Sequence, residues 1–256
     1  MKISAIVLAK NEEKDIGRCL DGLKWCDEII VIDDFSEDKT ANIAKDRGAK
    51  VHQRKLNNDF SRQRNFGLKK AKNKWVLFVD ADEVVSPNLS LEIVRHLKKI
   101  KNEKVYGFYL KRKDFFLGKR LNHGEAGNLR LLRLGIKTAG KWEGKVHEKW
   151  KIKGRKKSLK NYLFHFSHPS LNEFLKKINF YSSLRAEELK KQKKRTNWLE
   201  ITIFPLAKFI KNYFFLGGFR DSTAGFIFAV IMSFHSFLTR SKLFLFQFNG
   251  KLQKNR

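Results

Sequence analysis

The chain has 256 residues, 42% of them hydrophobic, so it can bury a core for one domain of about 150 residues with a smaller appendage. Its 55 Lys and Arg against 26 Asp and Glu give a formal net charge of +29, which implies an anionic partner: nucleic acid, an anionic membrane face or a phosphorylated substrate. A proteome rich in Lys, Asn, Ile and Phe would produce part of that excess on any solvated surface.

The opening residues, MKISAIVLAKNEE, hold too short an apolar run for a signal peptide and no cleavage pattern, so they read as a first strand from Ile3 to Ala9. The expectation is a protein that stays on the side of the membrane where it is made. Ile16, Cys19, Leu20 and Leu23 then fall at helical spacing. Cys19 and Cys26 have no CxxC pattern and no histidine at metal spacing, which argues against zinc and for a reducing compartment.

EIIVID (Glu28 to Asp33) is the second strand, and SEDKTANIAKDRGA predicts a helix with Ser36 as its N-cap and Gly48 as its stop. A short strand, KVHQR, a polar loop and a helix from Phe60 to Lys72 lead into the strand KWVLFVDADE. This alternation predicts an α/β fold with a mostly parallel sheet flanked by helices. Ligands of such sheets bind beyond the carboxyl ends of the strands. VIDDFSED places Asp33 and Asp34 at one such end, and LFVDADE places Asp80 and Asp82 at another. Four converging carboxylates require a cation or hydrogen-bond donors, and a hard divalent ion, Mn²⁺ or Mg²⁺, suits oxygen ligands shared with substrate phosphates. The plainer alternative for Asp34 and Ser36 is a set of turn and cap residues.

AIVLAKNEE, VIDDFSEDKT, FSRQRNFGL and WVLFVDADE, in that order and spacing, resemble glycosyltransferase family 2 with the GT-A fold. NLRLLRL followed by GKVHE is similar to the bacterial lipopolysaccharide core glycosyltransferases of the WaaE (KdtX) type. The resemblance covers Met1 to Trp150 well and the rest more loosely. It implies a nucleotide pocket formed by Ala9, Asn11 and Glu12 with Asp33 or Asp34 reading the base. It also implies Arg64 near the diphosphate or donor sugar, Asp80 on the ribose side, and Asp82 on the metal.

Glu148, in GKVHEKW, is the candidate general base for an inverting transfer, which needs a proton acceptor for the attacking hydroxyl. His147 beside it either completes the metal shell or sits in a structural turn. Glu125, in NHGEAGN, is the rival base, although that loop departs from the GWxPD-like stretch expected of the WaaE type. Arg130 and Arg133 alternate oddly with leucines, and Arg130 is the preferred phosphate or acceptor contact.

From Lys149 to Arg195 there are 15 basic and three acidic residues, a density suited to an anionic membrane face. Phe174, Ile178, Tyr181 and Leu184 line one side of an amphipathic helix that either lies in a membrane interface or packs on the protein. The Phe-rich tail from Trp198 contains an uncharged run, Ser222 to Thr239, at the lower limit for spanning, so monotopic insertion is preferred.

The reading is therefore a catalytic GT-A domain over 1–165 and a basic, Phe-rich helical region over 166–256. The enzyme would move a sugar from a nucleoside-diphosphate donor to a lipid-linked glycan at the cytoplasmic face of the inner membrane. Two competitors are a nucleic-acid-binding module, which lacks aromatic platforms among its basic residues, and a nucleotidyltransferase. The latter would want a Gly-rich basic loop after the first strand, where AKNEE is acidic. No nucleic acid partner is expected.

Overall fold

The computed structural model describes the chain except residues 101–103, 128, 146–147, 167–169 and 255–256, with the backbone alone for 249–254. It divides into two compact units, one of Met1–Lys113 with Leu129–Phe166, the other of Asp114–Asn128 with Ser167–Arg256.

In the first unit, β1 (Ile3–Ala9), β2 (Glu28–Asp33), β3 (Lys50–Gln53) and β4 (Trp75–Asp80) are connected by α1 (Ile16–Asp21), α2 (Thr40–Asp46) and α3 (Phe60–Lys70). All three adjacent pairs are parallel, in the order β3-β2-β1-β4. β1, β2 and β4 are near-continuous apolar runs because helices and loops cover both faces, and Ile6, Val31 and Phe78 are fully buried. The sheet continues through β8 (Arg130–Ile136), β6 (Val105–Phe116), β11 (Arg155–His165) and β5 (Glu83–Val85), with β8 antiparallel to both β4 and β6. Between these lie α4 (Pro87–Lys99), and a separate ribbon of β9 (Gly140–Glu143) and β10 (Lys149–Ile152). Trp142 and Trp150 of that ribbon stack on each other and meet Phe78 edge-on, which fixes the ribbon over the sheet.

Helix boundaries follow local chemistry. Asp59 accepts the Arg62 N–H and caps α3, and Ser86 accepts the Leu89 N–H and caps α4 with Pro87 in its first turn. Gly48, at φ 77°, closes α2 as expected. Ser36 does not cap α2, which begins only at Thr40. Its hydroxyl instead donates to Asp33 and accepts the Asn11 N–H, so the link between two strand-end loops displaces the cap. Cys19 and Cys26 are free thiols, and burial pushes Cys26 up to about 12.

The second unit is helical: α6 (Leu171–Lys191), α7 (Trp198–Ile210), a π-helical turn over Lys211–Phe215, a 3₁₀ turn over Gly218–Asp221, and α8 (Ser222–Lys254). α6 buries Phe174, Ile178 and Leu184, and Phe174 stacks on Phe228 of α8, so its apolar side is used in packing rather than presented outward. The short strand β7 (Lys119–Arg120) and α5 (Gly124–Gly127) belong to this unit too. Asp221 accepts the N–H groups of Asn122 and His123 and faces the His123 ring, while Asn212 accepts the Glu125 N–H.

Candidate active site

The strand ends determine the geometry. Register places Ala9 opposite Asp33 on one side, and Leu8 opposite Asp80 on the other, so three carboxyl-terminal tips lie level at the point where the strand order reverses.

The Asp33 side is a loop-forming cluster. Asp33 is fully buried and accepts from the Ser36 N–H and hydroxyl and from Gln53. Asp34 accepts the Leu56 N–H at 2.8 Å and pairs with Lys10 at 3.0 Å. Asn11, at φ 53°, gives its N–H to Ser36 and accepts from Glu37, and the Glu12 N–H donates to Thr40. Asn in the left-handed region suits such a turn. These contacts hold the Ala9–Glu12 loop against the 34–40 loop.

The Asp80 side is a chain of charges. Asp80 Oδ1 accepts from Arg64 at 2.8 Å, and Oδ2 from Arg133 at 2.6 Å. Arg64 Nε reaches Glu148 Oε1 at 2.7 Å, tying the end of the β9–β10 ribbon to the sheet. The guanidinium of Arg64, 4% exposed, lies 4.7 Å from the centre of the Trp142 ring. Among the described residues Arg64 Nη1 has no hydrogen-bond partner. Burial works against the charge on Asp80, but Arg133 and then Arg64 outweigh it and hold the carboxyl well below the usual range. Glu83, fully buried, accepts the Asp80 N–H at 2.9 Å and has Arg112 at 3.6 Å and Arg133 at 3.9 Å. Burial pushes its carboxyl up despite Arg133, and Asp80 adds to the rise.

Asp82 sits apart from this chain. Its Oδ2 lies 3.3 Å from His165 Nε2 at the end of β11, and its carbonyl accepts the Phe166 N–H. No group of three or more His, Cys, Asp or Glu suited to a metal occurs among the described residues. The carboxylate of Asp82 and the imidazole of His165 are a donor set compatible with Mn²⁺ or Mg²⁺, since such ions commonly take one or two protein ligands and complete their shell with phosphate and water. His147 lies outside the described residues.

Of the sequence candidates, the structure brings Arg64, Asp80 and Glu148 into direct contact and groups Ala9, Asn11, Glu12, Asp33 and Asp34 at the neighbouring strand tips. Arg130 does not join them: it is exposed on β8, opposite Lys111. Arg133 takes the place against Asp80. Phe108 pairs with Leu134 and Tyr109 with Leu132, so Arg133 is the extra residue of a β-bulge, a feature that re-aims a side chain. Glu125 belongs to the helical unit, where its carboxylate pairs with Lys208 at 2.6 Å. Sequence reading passed over His165, Glu83 as a buried acid, and Arg112. The one available signal was the broken leucine alternation around Arg133.

Two strand-end carboxylates, Asp33 and Asp80, flank the tip of β1, two arginines are locked on Asp80, and Asp82 stands beside a histidine, all at the carboxyl edge of a parallel sheet, where such folds bind ligands. The chain belongs to glycosyl transferase family 2, whose model matches residues 4–171, and it is a glycosyltransferase with the GT-A arrangement followed by a C-terminal apolar helical extension. It is 29% identical over 95% of its length, and 92% of the relative's, to the lipopolysaccharide core biosynthesis glycosyltransferase LpsC of Rhizobium meliloti (strain 1021). An uncharacterized glycosyltransferase of Rickettsia typhi, RT0209, is also 29% identical, over 94% of this chain and 86% of that one. Among solved structures, S. aureus TarS aligns with TM-score 0.49 at 18% identity, covering 87% of this chain and 46% of TarS. Glucosyl-3-phosphoglycerate synthase from Mycobacterium tuberculosis, in complex with Mn²⁺ and UDP, aligns with TM-score 0.37 at 24% identity over 44% of each chain.

Proposed function

We propose that the chain is an inverting, metal-dependent glycosyltransferase that moves a sugar from a nucleoside-diphosphate sugar, a UDP-linked hexose, to a lipid-anchored glycan. The acceptor is of the lipopolysaccharide-core kind, and the enzyme works as a peripheral or monotopic protein at the cytoplasmic face of the inner membrane. The observation that carries this reading is the Glu148–Arg64–Asp80–Arg133 chain at the carboxyl edge of the sheet. The acceptor class is supported by the relative named for lipopolysaccharide core biosynthesis, and the membrane by the apolar helix and the basic residues before it.

In this reading the Ala9–Glu12 loop and Asp33 with Asp34 shape the nucleotide pocket, and Asp80 fixes two guanidinium groups before the donor arrives. Prearranged cations beside a departing diphosphate lower the barrier because they need no reorganisation as charge develops. Glu148 has Oε1 on Arg64 and, among the described residues, no partner on Oε2, which is the oxygen assigned to take the acceptor proton. Asp82 and His165, with His147 as a further candidate, would hold a divalent ion, which neutralises charge on the leaving diphosphate.

A donor screen tests the reading. The protein is incubated with Mn²⁺ or Mg²⁺ and a panel of nucleotide sugars, and slow hydrolysis and thermal shifts are measured. A metal-dependent shift with one nucleotide supports it. Tight, salt-sensitive binding to DNA or RNA with no response to any nucleotide sugar would falsify it.

A further inference from the structure

The helical stretch from Gly218 to Phe248, which joins the 3₁₀ turn to α8, is long and apolar enough to cross a bilayer by length and composition. Its neighbours say otherwise. Phe174 of α6 stacks on Phe228, Lys242 donates to Asn179, Ser182 and Ser183 of α6, and Lys190 of α6 lies 5.0 Å from the Phe246 ring. α6 therefore runs alongside α8 for most of its length. α6 also carries Lys176, Lys177, Arg185, Glu187 and Glu188, so an α8 that crossed the hydrocarbon core would take these charges with it, which is strongly opposed.

The side of this unit away from α6 has a different character. On α7 and the turn after it, Leu199, Ile203, Leu206, Ile210 and Phe214 recur at steps of four, three, four and four and are 37–61% exposed. No residue of α7 is buried. On α8, Phe226, Val230, Phe234, Phe237, Phe244 and Phe248 form a second exposed stripe at helical spacing. The two helices pack antiparallel: Phe209 meets Phe226, Ser233 donates to the Pro205 carbonyl, and Arg240 covers the Phe204 ring at 3.9 Å. Five of the six residues from Lys190 to Arg195 are basic, and they lead directly into the exposed Trp198 that opens α7.

We propose that α7 and α8 lie together in the plane of an anionic bilayer, their two apolar stripes inserted to the level of the headgroup and acyl boundary and the 190–195 cluster on the lipid phosphates. The inference deepens the membrane reading above and rests on it. Charge selects the occupant: a second copy of a +29 chain would bring a like-charged cluster to the same face, whereas anionic lipid complements it. Amphipathic helices with basic flanks bind in this manner.

The test uses the full chain without donor, so that it reads docking independently of catalysis. Co-sedimentation is measured with vesicles of phosphatidylcholine and phosphatidylglycerol, and with phosphatidylcholine alone. The expected result is binding to the anionic vesicles, reduced about a thousandfold or more when Lys190, Lys191, Lys193, Lys194 and Arg195 are changed to Gln, and lost in Leu199→Glu/Ile203→Glu/Leu206→Glu. Helical content measured on each variant confirms that it folds. Nitroxide labels at Phe226→Cys, Phe237→Cys and Phe248→Cys, in a Cys19→Ala/Cys26→Ser background, then report depth. One shared shallow depth supports the in-plane arrangement. A deep middle label with the outer two at opposite surfaces overturns it in favour of a span. A dimer in solution that the Glu variants dissociate, with no binding to vesicles, overturns it in favour of self-association. Either result leaves the donor screen free to succeed or fail separately.

Discussion

The two units invert each other. The sheet unit hides charge, with Arg64, Arg133 and Glu83 all under 10% exposed, while the helical unit exposes grease, with Leu206 and Phe215 at 61% and 81%. Buried charge persists only when paired, and exposed apolar stripes beyond a few scattered residues mark contact surfaces. Each departure from ordinary burial underlies a different proposal: a nucleotide-sugar ligand for the first unit, a membrane interface for the second.

The comparison is broken most severely by removing the centre of the charge chain. Asp80→Asn removes the charge that Arg133 meets at 2.6 Å and leaves Glu83, at 3.9 Å, as its ion-pair partner among the described residues, which should cost about 3 kcal/mol and lower Tm by roughly 6–12 °C in differential scanning calorimetry. Because the folded Asp80 carboxyl titrates below its ordinary 3.8, its stabilisation is complete above that value and is lost only as pH falls through the lower, folded one. The gap between wild type and Asp80→Asn, measured without metal or nucleotide, should therefore be constant from neutral pH to about pH 4 and narrow below it. A gap that narrows already near pH 6 would show that Asp80 is not the carboxylate the arginines hold.

Glu148→Gln should leave donor affinity within a few-fold and reduce kcat by about 10²–10⁴, because a base acts only in the chemical step. Isothermal titration beside steady-state kinetics separates the two, and a collapse of donor affinity would make Glu148 a support for Arg64 instead. Asp82→Asn keeps the shape of the side chain beside His165 and should change stability by under about 1 kcal/mol, yet abolish the metal-dependent part of the nucleotide thermal shift. The smallest effect belongs to the helical unit. Asn197 caps α7 by accepting the Glu200 N–H at 2.9 Å, and Asn197→Ala should weaken that end by about 1 kcal/mol, seen as faster amide exchange at Ile201 and Thr202 with the sheet unaffected.

Much of the sheet unit was legible because its signals are local. Continuous apolar runs gave β1, β2 and β4, the last two ending in carboxylates, and their parallel order brought Asp33 and Asp80 to one edge. The identity of the second arginine was not legible, since strand alternation carries no mark of a bulge until the partner strand is known. His165 escaped for a similar reason: its nearness to Asp82 arises from β11 pairing with β5 across 80 residues of chain, a long-range register that no local pattern encodes. In the helical unit, composition gave the apolar tail but not which helix carries the exposed stripe. That depended on α6 claiming one side of α8, which only packing reveals.

The bulge at Arg133 makes the centre of the site a matter of counting as well as of chemistry. Shortening β8 by one residue, at Leu131 or Leu132, would keep both arginines and nearly the same composition, and would regularise the strand. It would also withdraw the guanidinium from Asp80, so chain length at this point, rather than any single side chain, is the inherited quantity that sets whether the two ever meet.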